Sequence, residues 1–233
     1  MDAPIIVYRR TATASTYFMR GFAGVYATLP VTDIDLGRRC FNTEYEPVMR
    51  YLLEHLEGPL LIVNLVRSPR TRFVSQFFKN LANERIRHPF SGEWIASPLS
   101  VGGDLSYDNL ARVYRRALGE FFIPHDYCIE RTYPALFGVD LSSKPFDHDR
   151  RCIHFAHERF TFLTLRQEDT AEWPRIMHAA LGMEAVFPSR RVNAAGDRPH
   201  AALYEEFVSR FRYTDEETRL LDELLTSKKY YAA

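Results

Sequence analysis

The segment Leu60-Leu61-Ile62-Val63-Asn64-Leu65-Val66 places six aliphatic residues in seven positions and carries no charge. A surface helix or half-exposed strand would interleave polar residues, so this run suits a strand covered on both faces, as in the middle of a parallel sheet. Gly58-Pro59 stops the element before it. Arg67-Ser68-Pro69 follows at once, an N-capping residue type and then proline at the first helical position. Phe73, Val74, Phe77, Phe78 and Leu81 then mark one apolar helical face. A buried strand running into a capped helix is the repeating unit of α/β folds.

The rest of the chain continues that alternation. Ile5 to Tyr8 reads as a strand, Arg9 to Ala14 as a polar loop, and Ser15 to Phe22 as a helix; a β-like segment follows at Val25 to Leu29. Val48, Met49, Leu52, Leu53 and Leu56 give Glu44 to Leu56 helical spacing. Residues 89 to 104 read as a loop, with Pro89, Gly92, Pro98, Gly102 and Gly103, and helices are expected over Tyr107 to Phe121 and Asp126 to Phe137. A β-rich unit spans Arg151 to Phe155 and Phe160 to Leu165, joined by His157-Glu158-Arg159. Thr170 to Leu181, Ala201 to Phe211 and Thr214 to Thr226 read as helices, the last opened by a capping box from Thr214 to Glu217. With 233 residues, 46% of them hydrophobic, and no repeat or long linker, one core is affordable, burying roughly 70% of the unfolded surface. The expectation is a single domain over 1–233, an α/β three-layer fold with a central, mainly parallel sheet flanked by helices.

Thirty basic residues offset thirty acidic ones, so no global field draws the chain to nucleic acid or an anionic membrane, and an anion site has to be built locally. Cys40, Cys128 and Cys152 are odd in number and lack metal-ligand spacing, which suits a reducing compartment. The four apolar residues after Met-Asp-Ala-Pro are too few for a secretory signal, and Leu60 to Val66 falls far short of the roughly 18 residues of a membrane span. These features lead to the expectation of a cytoplasmic protein with no membrane span and no nucleic-acid partner.

The segment from Leu65 to Ser75 carries the most chemistry. A helix beginning at Ser68 puts Ser68, Thr71 or Arg72, and Ser75 on one face, with Ser75 about two turns, or roughly 10 Å, along the axis. If Arg67 folds back toward that face, a dianionic phosphate there receives a guanidinium and a hydroxyl near the positive end of the helix dipole. The alternative is an arginine at a strand end and a serine facing solvent.

Strand-Arg-x-Pro with serine eight positions after the arginine closely resembles the 3′-phosphate motif of sulfotransferases that use 3′-phosphoadenosine 5′-phosphosulfate. The resemblance implies a P-loop-NTPase-like sulfotransferase fold, with Arg67 and Ser75 on the donor's 3′-phosphate. It also implies a first loop that cradles the 5′-phosphosulfate, in that family commonly Tyr-Pro-Lys-Ser-Gly-Thr-Thr. The gap-free match is Tyr8-Arg9-Arg10-Thr11-Ala12-Thr13-Ala14, which puts Arg10 where the lysine stands and Ala12 where the glycine stands. By resemblance, Arg9, Arg10, Thr11, Thr13, Ser15 and Thr16 contact the donor, and Arg10 neutralises charge on the bridging oxygen as the sulfuryl group leaves. In an alternative register, Ala14-Ser15-Thr16 forms the hydroxyl end of the loop and Ala12 takes the lysine's place, leaving the loop without its cation.

A narrower resemblance is to the bacterial capsular polysaccharide synthesis proteins, themselves sulfotransferase-like. Leu65 to Pro69 and Ser75 to Phe78 match their Leu-Val-Arg-x-Pro and Ser-x-Phe-Phe; Phe137 to Asp140, Pro145 to Asp147 and Leu165 to Asp169 match later motifs in the same order. Their Lys-Trp-Tyr-Ser signature corresponds poorly to Asn193 and Arg198 to Ala201. Arg190, Arg191 and Arg198 lie in this late loop, where sulfotransferases often supply another cation to the 3′-phosphate, and Arg198 is the chosen candidate. A sulfuryl acceptor must lose a proton, and Glu84 and His88, at the end of the helix carrying Ser75, are the candidate bases; Asp33 and Asp35 are alternatives.

The function implied is metal-free sulfuryl transfer to a hydroxyl of a saccharide or small metabolite in a bacterial cytoplasm, leaving adenosine 3′,5′-bisphosphate. Two other readings stay open. One is a catalytically degenerate nucleotide-binding module of the same fold. The other is a P-loop kinase, although no Gly-x-x-x-x-Gly-Lys-Ser/Thr sequence exists to hold a triphosphate.

Overall fold

The computed structural model describes residues 3–9, 15–20, 22, 25–26, 34–88, 93–126, 132–187 and 200–231, and for residues 9, 15–17, 25 and 26 the backbone alone. In chain order the elements are β1 (Ile5–Arg9), α1 (Ser15–Arg20), β2 (Val25–Tyr26), β3 (Cys40–Thr43), α2 (Glu46–His55), β4 (Leu60–Val66), α3 (Pro69–Asn80), β5 (Arg85–Arg87), β6 (Trp94–Ala96) and α4 (Tyr107–Ala117). Then come a π-helical turn (Leu118–Phe122), α5 (Tyr133–Phe137), a short 3-10 turn (Leu141–Ser143), β7 (Cys152–His157), β8 (Phe160–Arg166), a 3-10 segment (Gln167–Glu172), α6 (Trp173–Leu181), α7 (Ala201–Arg210), α8 (Asp215–Glu223) and α9 (Leu225–Tyr230). These fall into two compact units, Met1–Arg67 with Cys128–Val192, and Ser68–Tyr127 with Asn193–Ala233.

The first unit is built on a six-stranded sheet of order β2-β3-β1-β4-β8-β7. Its pairings are parallel except the last, β8 with β7. The fold is therefore α/β, with a mostly parallel sheet flanked by helices. Residues Leu60 to Val66 are all buried in β4, between β1 and β8, which is why that stretch tolerates no charge. At roughly 1.5–3 kcal/mol for each buried aliphatic side chain, this strand alone anchors the unit. One face of the sheet, with Ile5, Val7, Leu61, Val63, Leu163 and Leu165, packs on Phe18 and Met19 of α1 and on Trp173, Ile176 and Met177 of α6. On the opposite face, Tyr133 and Phe137 of α5 stack against Phe160 and Phe162 of β8. Arg159 donates to the carbonyls of Leu53 and Leu56, satisfying groups that the end of α2 leaves unpaired.

The second unit is mainly helical. Its core joins Phe73, Val74, Phe77 and Phe78 of α3 to Leu110, Val113 and Tyr114 of α4, and to Phe207, Phe211 and Leu221 from the last third of the chain. Within the stretch 89–104, expected as a loop, lies β6, which pairs with β5 in a separate two-stranded ribbon. Of the helix expected from Asp126 to Phe137, residues 127–131 lie outside the described residues, and α5 runs from Tyr133, with Pro134 in its first turn, to Phe137, followed by Gly138, whose left-handed φ of 66° suits glycine. The capping box forms as the sequence predicts: the Thr214 hydroxyl accepts from the Glu217 N–H, and the Glu217 carboxylate accepts from the Thr214 N–H. The helix it opens ends at Glu223, and α9 starts afresh after Leu224.

Burial pushes the Glu217 carboxyl up, but the Arg115 guanidinium and the Thr214 N–H outweigh it, so its pKa lies below the ordinary carboxylate range. A depressed folded-state pKa contributes stability that is present above the unfolded value of about 4.3 and is lost as pH falls through the folded one. Glu217→Gln is therefore expected to destabilise the protein at neutral pH, and its urea midpoint should converge on the wild-type one in acid. A gap that stays constant between pH 7 and pH 3 would count against this coupling.

Among the described residues no helix is long and apolar enough to cross a membrane.

Candidate functional site

The chain runs through β1 and on to β3, on one side of β1, and then returns to form β4 on its other side, so the strand order reverses at the β1–β4 boundary. In open α/β sheets, ligands bind outside the carboxyl ends of the strands at such a reversal, because the connections leaving the two strands part there and open a crevice. β1 and β4 are parallel and in register, with Tyr8 opposite Asn64 and Arg9 opposite Leu65. The segment after β1 and the segment after β4 therefore leave the same edge of the sheet from adjacent strands. Arg67 is the residue that follows β4, and it is half-buried.

Arg10, Thr11, Thr13 and Arg198 lie outside the described residues, as do Asp33, Arg190 and Arg191; of Arg9, Ser15 and Thr16 only the backbone is described, Arg9 ending β1 and Ser15 and Thr16 opening α1. Ser75 is buried within α3, on the same turn as buried Arg72. It does not face solvent. Pro69 opens α3 as expected, but the Ser68 side chain makes no capping hydrogen bond.

Arg72 is committed elsewhere. Its guanidinium forms a buried ion pair with Asp126, the two side chains 5% and 1% exposed. Glu84 precedes β5 and is exposed, while His88 follows β5, half-buried, with its ring edge-on to His125 at 5.4 Å between centroids. The Nδ1 of His125 lies 2.9 Å from the carbonyl oxygen of Phe121, so the neutral ring donates from Nδ1 and keeps its lone pair on Nε2. Of the two candidate bases, His88 thus has a second imidazole beside it, supplied by the segment after the π-helical turn. Sequence reading gave no sign of that pairing, since His125 belongs to no motif.

Just beyond the end of β8, Asp169 accepts from Arg166 Nε at 2.6 Å and from Arg151 Nη1 at 3.4 Å. The Arg166 guanidinium also stacks over Phe146 at 4.8 Å, and Trp173 Nε1 donates to the Arg166 carbonyl at 2.9 Å. The Leu165 to Asp169 motif is therefore a structural clamp that turns β8 into α6. Cys40 and Cys152 are buried free thiols, and burial pushes the Cys40 thiol up to about 12, which leaves it inert as a nucleophile.

Along the carboxyl ends of the strands in the first unit runs a row of uncharged polar groups. Thr43, Tyr8, Asn64 and Thr164 are cross-strand neighbours on one face, near the carboxyl ends of β3, β1, β4 and β8, and none is more than 3% exposed. Thr43 Oγ1 accepts from the Tyr45 N–H at 3.1 Å. Asn64 Oδ1 and Nδ2 are both buried and have no hydrogen-bond partner. An orphaned amide in the middle of a sheet is costly, on the order of 1–3 kcal/mol for each group, and such groups in native proteins have a reason.

Comparison of the whole chain with protein-family models, curated proteins and solved structures finds no match.

Proposed function

We propose that the protein is a sulfotransferase that moves a sulfuryl group from 3′-phosphoadenosine 5′-phosphosulfate to a hydroxyl of a saccharide or small metabolite. The observation that carries this reading is the position of β1 and β4: they are adjacent parallel strands at the reversal of strand order, and the two segments that resemble donor-binding motifs follow them directly. An anionic nucleotide is the class of ligand that this edge of an α/β sheet suits, with backbone amides and a guanidinium as its recognition groups. Ser75 enters through its spacing from Arg67 in the motif.

In the proposed reaction the acceptor oxygen forms a bond to sulfur while the bond from sulfur to the bridging phosphate oxygen breaks. The acceptor proton passes to a base, for which His88 and Glu84 are the candidates. Charge grows on the bridging oxygen, and Arg10 is the cation proposed to meet it. The product is adenosine 3′,5′-bisphosphate, and no metal takes part.

Adenosine 3′,5′-bisphosphate tests this directly. At a concentration a hundredfold above Kd it should stabilise the folded protein by about 2.7 kcal/mol, read as a rise of several degrees in Tm. Binding without turnover of the donor against a panel of hydroxyl acceptors would indicate a module that has kept the nucleotide and lost the chemistry. A response to ATP with magnesium and none to the bisphosphate would point to a kinase and end this reading.

A further inference from the structure

We propose that Asn64, with Tyr8 and Thr164 beside it, forms a subsite for an uncharged hydroxyl group of the acceptor, distinct from the place where the donor's phosphates bind. This deepens the proposed function and rests on it for the word acceptor; the subsite itself rests on orphaned hydrogen-bonding atoms.

Among the described residues, the carboxyl edge shared by β4 and β8 holds three such atoms. They are Asn64 Oδ1, Asn64 Nδ2 and, just beyond the end of β8, Gln167 Oε1. Each is buried, and Asn64 as a whole is 1% exposed. Two of the three are acceptors and one is a donor. A phosphate or sulfate dianion brings acceptors alone, so it would pair with Nδ2 and leave Asn64 Oδ1 opposed by negative charge. A cation brings donors alone and would leave Nδ2 unpaired. A hydroxyl brings one donor and two lone pairs, and it answers both atoms of the Asn64 amide at once. The neighbours agree in chemistry: in register on the same face stand the Tyr8 phenol and the Thr164 hydroxyl, with no formal charge on either.

The location supplies the second, independent reason. Asn64 sits two residues before the end of β4, on the strand that borders the reversal of strand order, where substrates of α/β sheets bind. A valine or isoleucine at this position would continue the aliphatic run of β4 and leave nothing unpaired. The amide stands in a strand that is buried along its whole length, at a position where unpaired polar atoms lower stability.

Glycerol, the smallest polyol, is the probe, used on the full chain and followed by two-dimensional amide NMR. Glycerol should shift the Asn64 side-chain amide and the backbone amides of Tyr8 and Thr164 saturably, and sodium sulfate at matched ionic strength should not. Asn64→Val should abolish the shifts at Tyr8 and Thr164 and raise Tm by about 5 °C, as expected when two orphaned polar atoms leave a core. Asn64→Ser, smaller and still polar, guards against a misfolded valine variant and should keep a weakened response. No saturable shift in the wild type, persistence of the shifts in Asn64→Val, or a crystal soaked in glycerol that shows only a water on the amide would each overturn the subsite. Bisphosphate binding is read separately from Tm, so the donor reading and the subsite can fail independently.

Discussion

Replacing Arg67 with alanine is expected to weaken binding of adenosine 3′,5′-bisphosphate about a hundredfold. A guanidinium on a phosphate makes charge-assisted hydrogen bonds, each contributing roughly 1.5–3 kcal/mol, and losing two of them outweighs the single hydroxyl bond that Ser75 would keep. Arg67→Lys should fall between, because an ammonium preserves the charge but not the planar fork. Arg67 is half-buried and directly follows β4, and the loss should appear in titration calorimetry as a weaker Kd for the bisphosphate. Arg10→Ala provides the contrast. The bisphosphate lacks the departing sulfuryl group, so this variant should keep most of its affinity and lose turnover of the donor. Equal loss of bisphosphate binding in both variants would show that the two arginines have been given the wrong roles.

The strength of that contrast follows from what local sequence can and cannot specify. The limits of β4 are read correctly to the residue, because an uncharged aliphatic run fits only a strand covered on both faces. Pro69 fixes the start of α3, and Thr214 with Glu217 fixes the start of α8. β3 is a different case. Cys40-Phe41-Asn42-Thr43 is half polar and four residues long, and it is a strand because β1 and β2 pair with it on either side, which no local window contains. The ribbon of β5 with β6 depends on its pairing in the same way, whereas β7 and β8, joined by a short turn, are read from the local sequence. Of the site, the sequence shows Arg67 and its spacing to Ser75. It also shows Asn64 as a lone polar residue in an aliphatic run, but only the register reveals that Tyr8 and Thr164 flank it and that its amide has no partner. Arg72 illustrates the limit most clearly. Helical spacing puts it on the face that carries Ser68 and Ser75, yet its counterion lies 54 residues away in sequence.

That counterion makes Asp126→Asn the substitution expected to cost the most stability. With side chains 5% and 1% exposed, Arg72 and Asp126 have given up their hydration, and their mutual attraction is the compensation. An asparagine can still accept one hydrogen bond, but it leaves a full positive charge in the interior, and a guanidinium has no neutral form to adopt at accessible pH. Breaking such a pair from one side costs about 3–5 kcal/mol, a fall in Tm of roughly 10 °C for a chain of this size. The Arg72 guanidinium also lies 4.9 Å from the Phe73 ring centroid, a contact that softens the penalty by no more than about 1–2 kcal/mol. Arg72→Met combined with Asp126→Leu removes both charges and should recover most of the loss, since buried pairs replaced by apolar residues of similar volume are often neutral or stabilising. The double variant separates two roles for this pair. If the pair only holds α3 against the segment after the π-helical turn, the recovered protein should bind adenosine 3′,5′-bisphosphate as the wild type does. If Arg72 instead serves the ligand, as its place one turn before Ser75 allows, stability should return and affinity should not. A single-variant loss below about 1 kcal/mol, the scale of a hydrated surface pair, would mean that water reaches these charges and that they contribute little to the second unit.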